Sequence, residues 1–508
     1  MWVGLRKNDS AAIAHYTGII VLLLALTMLV PLATALVAGE WDPALDYVLG
    51  FGAAAGIGGL LAGQAPRRTD LNRQNALIIT AVAWLTASLV AAIPLALSGH
   101  YGSFLDAAFD AMSGLTTSGL TLVQDLDHLP LAHNMWRHLT HLIGGQGIVV
   151  AVLTFAVGMR GGGAVSLYQA EGRDERILPN VVNTARFIWF VTLVYVSIGT
   201  AVLTVGNLSA GMEPGRSLLH GFWHTIACYD TGGFAPQSMN ALYYHNPLFE
   251  IVTVVLMLAG TLNFNLHADV WRGDRRELFK NLESRTLAVH IGLLALAVGF
   301  GLGATTLFAE PGEVIRKGVY HILSAHSGTG QQTLYSAQWT RGYGDLALVA
   351  VMLAMGLGGM ASSTAGGVKA LRAGLIFKGL VLRVKQAIAP QSAIVGGTFH
   401  HLTDVRLTAE LFSGALVIFV LYVLSYVTGA LVGLAYGYPA REALFESISA
   451  AANVGLSAGI TAPAMPAGLK ITYIIQMWTG RLEFIAVLAM VASVAASFRG
   501  RQKRGRAA

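Results

Sequence analysis

Four short stretches, rich in glycine and small hydroxyl residues, carry the chemistry this chain offers: Thr116-Thr117-Ser118-Gly119, Asp230-Thr231-Gly232-Gly233, Ser327-Gly328-Thr329-Gly330 and Asn453-Val454-Gly455. What they supply is backbone. Glycine adopts conformations closed to residues with a side chain, so it lets successive carbonyls be aimed at one axis. A ring of such oxygens replaces the hydration shell of a monovalent cation, the working principle of potassium filters.

The residues ahead of each turn share one template. Ten positions before Gly119, Gly233, Gly330 and Gly455 stands an aromatic residue: Phe109, Trp223, Tyr320 and Phe445. A polar residue follows (Asp110, His224, His321, Glu446), then an apolar one two steps on (Met112, Ile226, Leu323, Ile448). The fifth residue before each glycine is small: Gly114, Cys228, Ala325 or Ala450. Segments of about 10 to 14 residues fall short of the roughly 20 that a helix needs to cross the hydrocarbon, so each is expected to enter the membrane and turn back. An irregular turn at that depth is tolerated only where its polar groups are buried in protein or face a water-filled cavity. Four helices pointing their C-terminal, electronegative ends at one axis favour a cation there.

The elements that must hold these turns are apolar. With 54% hydrophobic and 12% charged residues among 508, the chain lies far from the soluble norm and reads as an integral membrane protein. Long apolar stretches run over 18–38, 76–97, 287–309 and 407–436. Adding 47–65, 142–158, 187–205, 248–262, 346–359 and 471–498 gives ten crossings with both termini on one side. If that side is cytoplasmic, 25 of the 33 Lys and Arg residues fall on it: Arg6 and Lys7, three at 67–73, four at 160–186, five at 272–285, six at 369–406 and five at 499–506. That is the bias the positive-inside rule expects. Small residues at Ala33-Thr34-Ala35 give the first stretch a rival reading as a cleaved signal peptide. The single cysteine, Cys228, rules out an internal disulfide framework and a cysteine-cluster metal site.

The fold expected is all-α and membrane-integral, with four weak repeats of span, re-entrant helix with its turn, and span around one pore. A helix pair occupies 1–73 and the first repeat 74–160. The second is 161–270 and the third 271–368. A cytoplasmic linker follows at 369–406, the fourth repeat at 407–498 and a basic tail at 499–508.

Beyond single turns, longer strings recur: SGLTTSGLT at Ser113–Thr121, IGGQGIVV at Ile143–Val150, GGMASSTAGGVK at Gly358–Lys369, SAAANVGLSAG at Ser449–Gly459 and GRLEF at Gly480–Phe484. With these motifs the chain resembles the Trk/Ktr/HKT superfamily of potassium transporters over nearly its whole length. It is most similar to the Trk-type membrane subunit, on account of the N-terminal helix pair and GRLE. The resemblance implies that Gly119, Gly233, Gly330 and Gly455 line the narrowest potassium site. K+ would be held by backbone carbonyls of Thr117, Ser118, Thr231, Gly232, Gly328, Thr329, Asn453 and Val454. Relatives that prefer sodium tend to carry serine at the first position, so Gly119 argues for potassium. Gln331 departs from the phenylalanine usual after the third glycine.

Apart from Leu357, the stretch between Gly356 and Gly367 is Gly, Ser, Thr, Ala and Met, a composition that disfavours continuous helix. The resemblance makes it an intramembrane gate loop of Gly358, Gly359, Ser362, Ser363, Thr364, Gly366 and Gly367; close helix packing on small residues is the plainer reading. Arg481 is expected well inside a spanning helix, where an unpaired charge is costly. The family gives it the role of an electrostatic barrier beside the gate, against which stands a pairing with Glu483. Asp110 and Glu446 are open as proton or cation partners or as structural acceptors.

His220 with His224, and His138 with His141, have loose zinc spacing without HExxH, which favours packing over a metal site. No Walker or GxGxxG motif is present, so no nucleotide cofactor is expected on this chain and it is not expected to be an enzyme; K+ is the transported ion. By resemblance, its partners are a second copy in a homodimer and a cytosolic Rossmann-type nucleotide-binding ring, docked on 161–186 and 369–406. Those basic loops also suit anionic lipid. No nucleic-acid partner is expected, and the location is the bacterial inner membrane. A sodium-permeable or Na+/H+-coupled transporter and a non-conducting regulatory membrane protein are the alternative readings.

Overall fold

The computed structural model describes residues 7–64, 71–155, 162–171, 180–305, 307–308 and 310–505. Arg6, Arg67, Arg68, Arg160, Arg173, Arg176 and Arg506, used above in the charge argument, lie outside the described residues, as does much of 161–186. The described chain is almost wholly helical, apart from one antiparallel hairpin of Thr398–His401 and Thr403–Arg406. Among the described residues, six helices are long and apolar enough to cross a membrane, and up to eight spans result if each of two sharply bent pairs counts as one. This fits an integral membrane protein. The six are Asp9–Ala38, Trp41–Ala62, Arg73–Leu97, Val181–Ser209, Leu282–Gly303 and Ala409–Ala435.

The chain divides into two compact units: Met1–Thr116 with Leu122–Phe190 and Arg481–Ala508, and Thr117–Thr121 with Val191–Gly480. In the first unit the apolar stretch expected to begin at residue 142 belongs to a helix that starts earlier, Leu131–Gln146. Its first eleven residues carry His133, Asn134, Arg137, His138, Thr140 and His141, all buried, and so lack the apolar run that marks a span. Arg137 is 1% exposed, and its Nε donates to Asp110 Oδ2 at 2.9 Å; the Tyr101 hydroxyl donates to the same oxygen at 2.9 Å. Asp110 is therefore a structural acceptor that ties Phe104–Leu115 to Leu131–Gln146. Arg137→Ala would leave that carboxylate buried without its counter-charge, at a cost of about 3–5 kcal/mol. Thermal unfolding in detergent should show a large fall in midpoint, whereas an unchanged midpoint would mean the pair carries no stability.

The second unit holds the hairpin and a helix, Ala370–Ile388, where a linker was expected. His400 joins the hairpin to the helical body: its Nδ1 lies 2.8 Å from Asp404 Oδ1 and its Nε2 2.9 Å from Glu277 Oε2. Two carboxylates need two N–H donors, which only the imidazolium has. The bonds to Asp404 and then Glu277 raise the His400 pKa above its ordinary 6.5. The anchoring is thus complete below pH 6.5 and is lost as pH rises through the raised value. Amide exchange across 398–406 should accelerate on going alkaline, and His400→Gln should remove that pH dependence.

Candidate functional site

Each of the four turns follows a short buried helix: Phe104–Leu115, Pro214–Tyr229, Pro311–His326 and Ala440–Ala451, of 12, 16, 16 and 12 residues. Two are slightly longer than the sequence suggested. After each helix the backbone takes positive φ at one residue and again two residues on: Thr117 and Gly119, Thr231 and Gly233, Gly328 and Gly330, Asn453 and Gly455. Three non-glycine residues in this conformation at equivalent places are a repeated strain, and such strain collects at functional sites.

The direction of the carbonyls follows from where the N–H groups go. Gly232 and Gly233 both donate to Ala227 O, at 2.8 and 3.1 Å, and Thr329 and Gly330 to Ser324 O, at 3.0 and 3.3 Å. Val454 donates to Ser449 O at 2.9 Å and Gly455 to Ser449 Oγ at 3.0 Å. A trans peptide sets its N–H and C=O on opposite edges. With these N–H groups turned back on their helices, the carbonyls of Thr231, Gly232, Gly328, Thr329, Asn453 and Val454 point away from them.

The turns, from Thr117 onward all within the second unit, meet in a closed ring. A methyl at Gly119 would run into the carbonyl oxygen of Gly232, and at Gly233 into that of Thr329. At Gly330 it would meet Val454 O, and at Gly455 it would meet Ser118 O, which returns to the first turn. Every one of these four glycines therefore touches the carbonyl that precedes the glycine of the next turn. Side chains pin the ring from behind: Asn453 Nδ2 donates to Ser118 Oγ at 2.8 Å and to Met477 O at 2.9 Å.

A second set of glycines also matters, and the sequence reading passed over it. Gly144 lies against Leu115 O, Gly260 against Tyr229 O and Gly480 against Ala451 O, with no room for a methyl at any of them. They seat the ends of three of the short helices. Their recurrence 25, 27 and 25 residues after a turn glycine was the available signal. After the third turn, Gly356 and Gly358 face Tyr426 and Gly366 O instead.

All four helices after the turns break. The first pauses at Gly147, φ +91°, and restarts with Glu171 accepting from Val149 N and Val150 N at 3.1 and 3.2 Å. The second, Pro247–Thr261, bends by 103° into Phe264–Trp271. The fourth, Ala467–Arg481, ends before Glu483 and Phe484, both at positive φ. The expectation of one continuous span over 471–498 is thereby corrected, and Arg481 stands at a helix end rather than inside one. Its Nη2 donates to Gly144 O and to Gly145 O at 3.2 Å, and its guanidinium lies 5.7 Å from the centre of the Trp84 ring. A cation on the carbonyl end of Leu131–Gln146 is favourable for the helix dipole. It is also not the only basic residue held inside, since Arg137 is more deeply buried.

The third helix, Asp345–Gly356, gives way to a loop closed by a bridge between Leu357 and Val368, with Gly358 N donating to Val368 O at 2.9 Å. This loop holds Gly358, Gly359, Ser362, Ser363, Thr364, Gly366 and Gly367 together against the turns. Thr364 Oγ1 lies 2.9 Å from Gly260 O, 3.2 Å from Tyr229 O and 3.2 Å from Thr231 Oγ1. Gly366 abuts Ala452 O and the Cβ of Asn453, and Gly328 faces Gly366 N. From outside the turns, Glu283 Oε1 accepts from Ala361 N at 2.6 Å.

Glu446 is spoken for. Its carboxylate accepts from Ser457 Oγ at 2.5 Å, Ile460 N at 3.0 Å and Thr461 Oγ1 at 2.9 Å, holding the chain beyond the fourth turn. His220 bonds the Tyr244 hydroxyl at 2.6 Å, and His224 packs edge-on against Tyr244 and Phe249.

The family model described as TrkH, cation transport protein, matches residues 53–498. The chain is 30% identical to an "uncharacterized cation transporter" of Methanocaldococcus jannaschii, over 96% of this chain and 97% of that one. It is 27% identical to the Trk system potassium uptake protein TrkG of Escherichia coli, over 96% and 98%. Its fold is that of the crystal structure of the potassium transporter TrkH from Vibrio parahaemolyticus, with TM-score 0.78 at 24% identity, covering 94% of this chain and 97% of that one. The chain belongs to the TrkH family of cation transport proteins, as a Trk-type membrane subunit, and is a transporter rather than an enzyme.

Proposed function

We propose that this chain takes potassium into the cell through a gated, channel-like pore whose filter is the ring of four glycine turns. The observation that carries the reading is the closed cycle of glycine-to-carbonyl contacts from Gly119 through Gly233, Gly330 and Gly455. Ions shed water against the main-chain oxygens of Thr117, Ser118, Thr231, Gly232, Gly328, Thr329, Asn453 and Val454, then pass the loop 357–368. Relatives named as potassium uptake proteins support the choice of ion. An interior-negative membrane contributes about 2.3 kcal/mol per charge per 100 mV, enough to drive accumulation without further chemistry.

In this reading four repeats and an N-terminal helix pair make ten crossings of an inner membrane, with both termini cytoplasmic. The working unit is a homodimer with a cytosolic nucleotide-binding ring below it, docked on the hairpin side of 369–406. Expression in a bacterium stripped of its potassium uptake systems should restore growth on low potassium. Rescue only with added sodium would favour a coupled transporter, and no flux from folded protein in liposomes would overturn the proposal.

Arg481 acts here as a positive barrier next to the pore as well as an anchor for Gly144 and Gly145. Arg481→Ala should change potassium flux several-fold at unchanged membrane abundance. Loss of abundance with normal flux per molecule would leave only the anchor.

A further inference from the structure

The four turns are not equivalent at their last carbonyl. The carbonyl of Gly233 accepts from Asn240 Nδ2 at 3.3 Å and from Gln331 Nε2 at 3.4 Å. The same Gln331 nitrogen lies 3.4 Å from Phe234 O. Among the described residues, no hydrogen bond ends on the carbonyls of Gly119, Gly330 or Gly455. One filter glycine in four thus has its oxygen engaged by side-chain amides.

The two amides are firmly placed. Gln331 is fully buried, directly follows Gly330 of the third turn, and has its own carbonyl held by Ser324 Oγ at 2.6 Å. With two carbonyl oxygens in front of it, the carboxamide must present nitrogen rather than oxygen. Asn240 sits at φ +53°, a conformation asparagine tolerates, and its Oδ1 accepts from Ala241 N at 2.7 Å and Gln332 N at 3.2 Å. That leaves its Nδ2 facing Gly233. The second and third turns are therefore joined through amides at the end of the filter.

We infer that the carbonyls of Gly119, Gly233, Gly330 and Gly455 add a last ring beyond the eight oxygens named above, and that Gln331 and Asn240 form an amide clamp on its Gly233 member that lowers the field of that ring on one side and thereby holds back sodium. The inference rests on the filter reading above and names the residues that tune it. Selectivity between monovalent cations depends on the number and field strength of the coordinating carbonyls. A strong field repays the greater dehydration cost of the smaller ion, so oxygens already sharing their lone pairs with N–H donors disfavour sodium relative to potassium. Both residues are positioning groups that act through Gly233 and need not touch the ion.

The test uses the full chain in liposomes, with potassium and sodium flux measured separately. Gln331→Met keeps the volume and removes the N–H donors. Asn240→Gly removes the other donor and suits the positive φ. Each should raise the sodium-to-potassium permeability ratio roughly fivefold, the scale of one hydrogen bond, while potassium flux persists. Protection of each folded variant from heat by potassium relative to sodium should fall in parallel, and this readout remains if flux is lost. An unchanged ratio in both variants, or in whichever one folds, overturns the clamp while leaving the filter standing. Wild-type protein that conducts no cation would instead bring down the filter reading, and the clamp with it.

Discussion

Gly119→Ser is expected to abolish the preference for potassium, lowering the potassium-to-sodium permeability ratio at least about tenfold, or ~1.4 kcal/mol of discrimination. Two costs act together. The residue sits at φ +78°, which a side chain disfavours, and its Cβ would be driven into the carbonyl oxygen of Gly232. To make room, one turn must retreat, and because each glycine touches the next turn's carbonyl the displacement passes round the ring. The oxygens then no longer match the dehydrated ion. Reversal potentials in liposomes under mixed ions give the ratio directly. Protein abundance should hold, since the ring makes up few of the buried contacts. Full potassium preference in the serine variant would mean these carbonyls do not line the selective site.

Thr364→Val should raise flux in the resting state by about fivefold. Its hydroxyl fastens the loop to Gly260, Tyr229 and Thr231, bonds that the proposed gate must break to open. Valine keeps the shape and removes the bonds, each worth about 0.5–1.5 kcal/mol, so the equilibrium moves toward the open arrangement. Glu283→Gln, which weakens the grip on Ala361 N from the other side of the loop, should act in the same direction. Resting rubidium uptake into vesicles measures both. Lower uptake in Thr364→Val would indicate that the loop supports conduction instead of obstructing it.

Much of this was legible in the residue pattern because membranes leave few options. The long apolar runs became helices nearly where they were placed: 76–97 is Arg73–Leu97, and 407–436 is Ala409–Ala435. Position-by-position likeness ahead of Gly119, Gly233, Gly330 and Gly455 pointed to four short helices, and the loop after Gly356 could be read from its lack of helix formers. What escaped was polar and buried. Leu131–Gln146 was lost because Arg137 and its histidines break the apolar run, and only the fold shows that Asp110 answers the charge. The helix breaks after Thr261 and Arg481 follow single glycines, Gly260 and Gly480, which inside an apolar run are too weak a signal to mark a break. Arg481 was read as interior because that break was unseen. The order in which the glycines meet carbonyls of other turns joins residues more than ninety positions apart, beyond the reach of any local pattern.

If main-chain oxygens of the four glycine turns hold the ion, anomalous diffraction from crystals grown in rubidium should show a peak on the axis of the turns, surrounded by the carbonyls that precede Gly119, Gly233, Gly330 and Gly455. A clear peak elsewhere, with none on that axis, would contradict that reading.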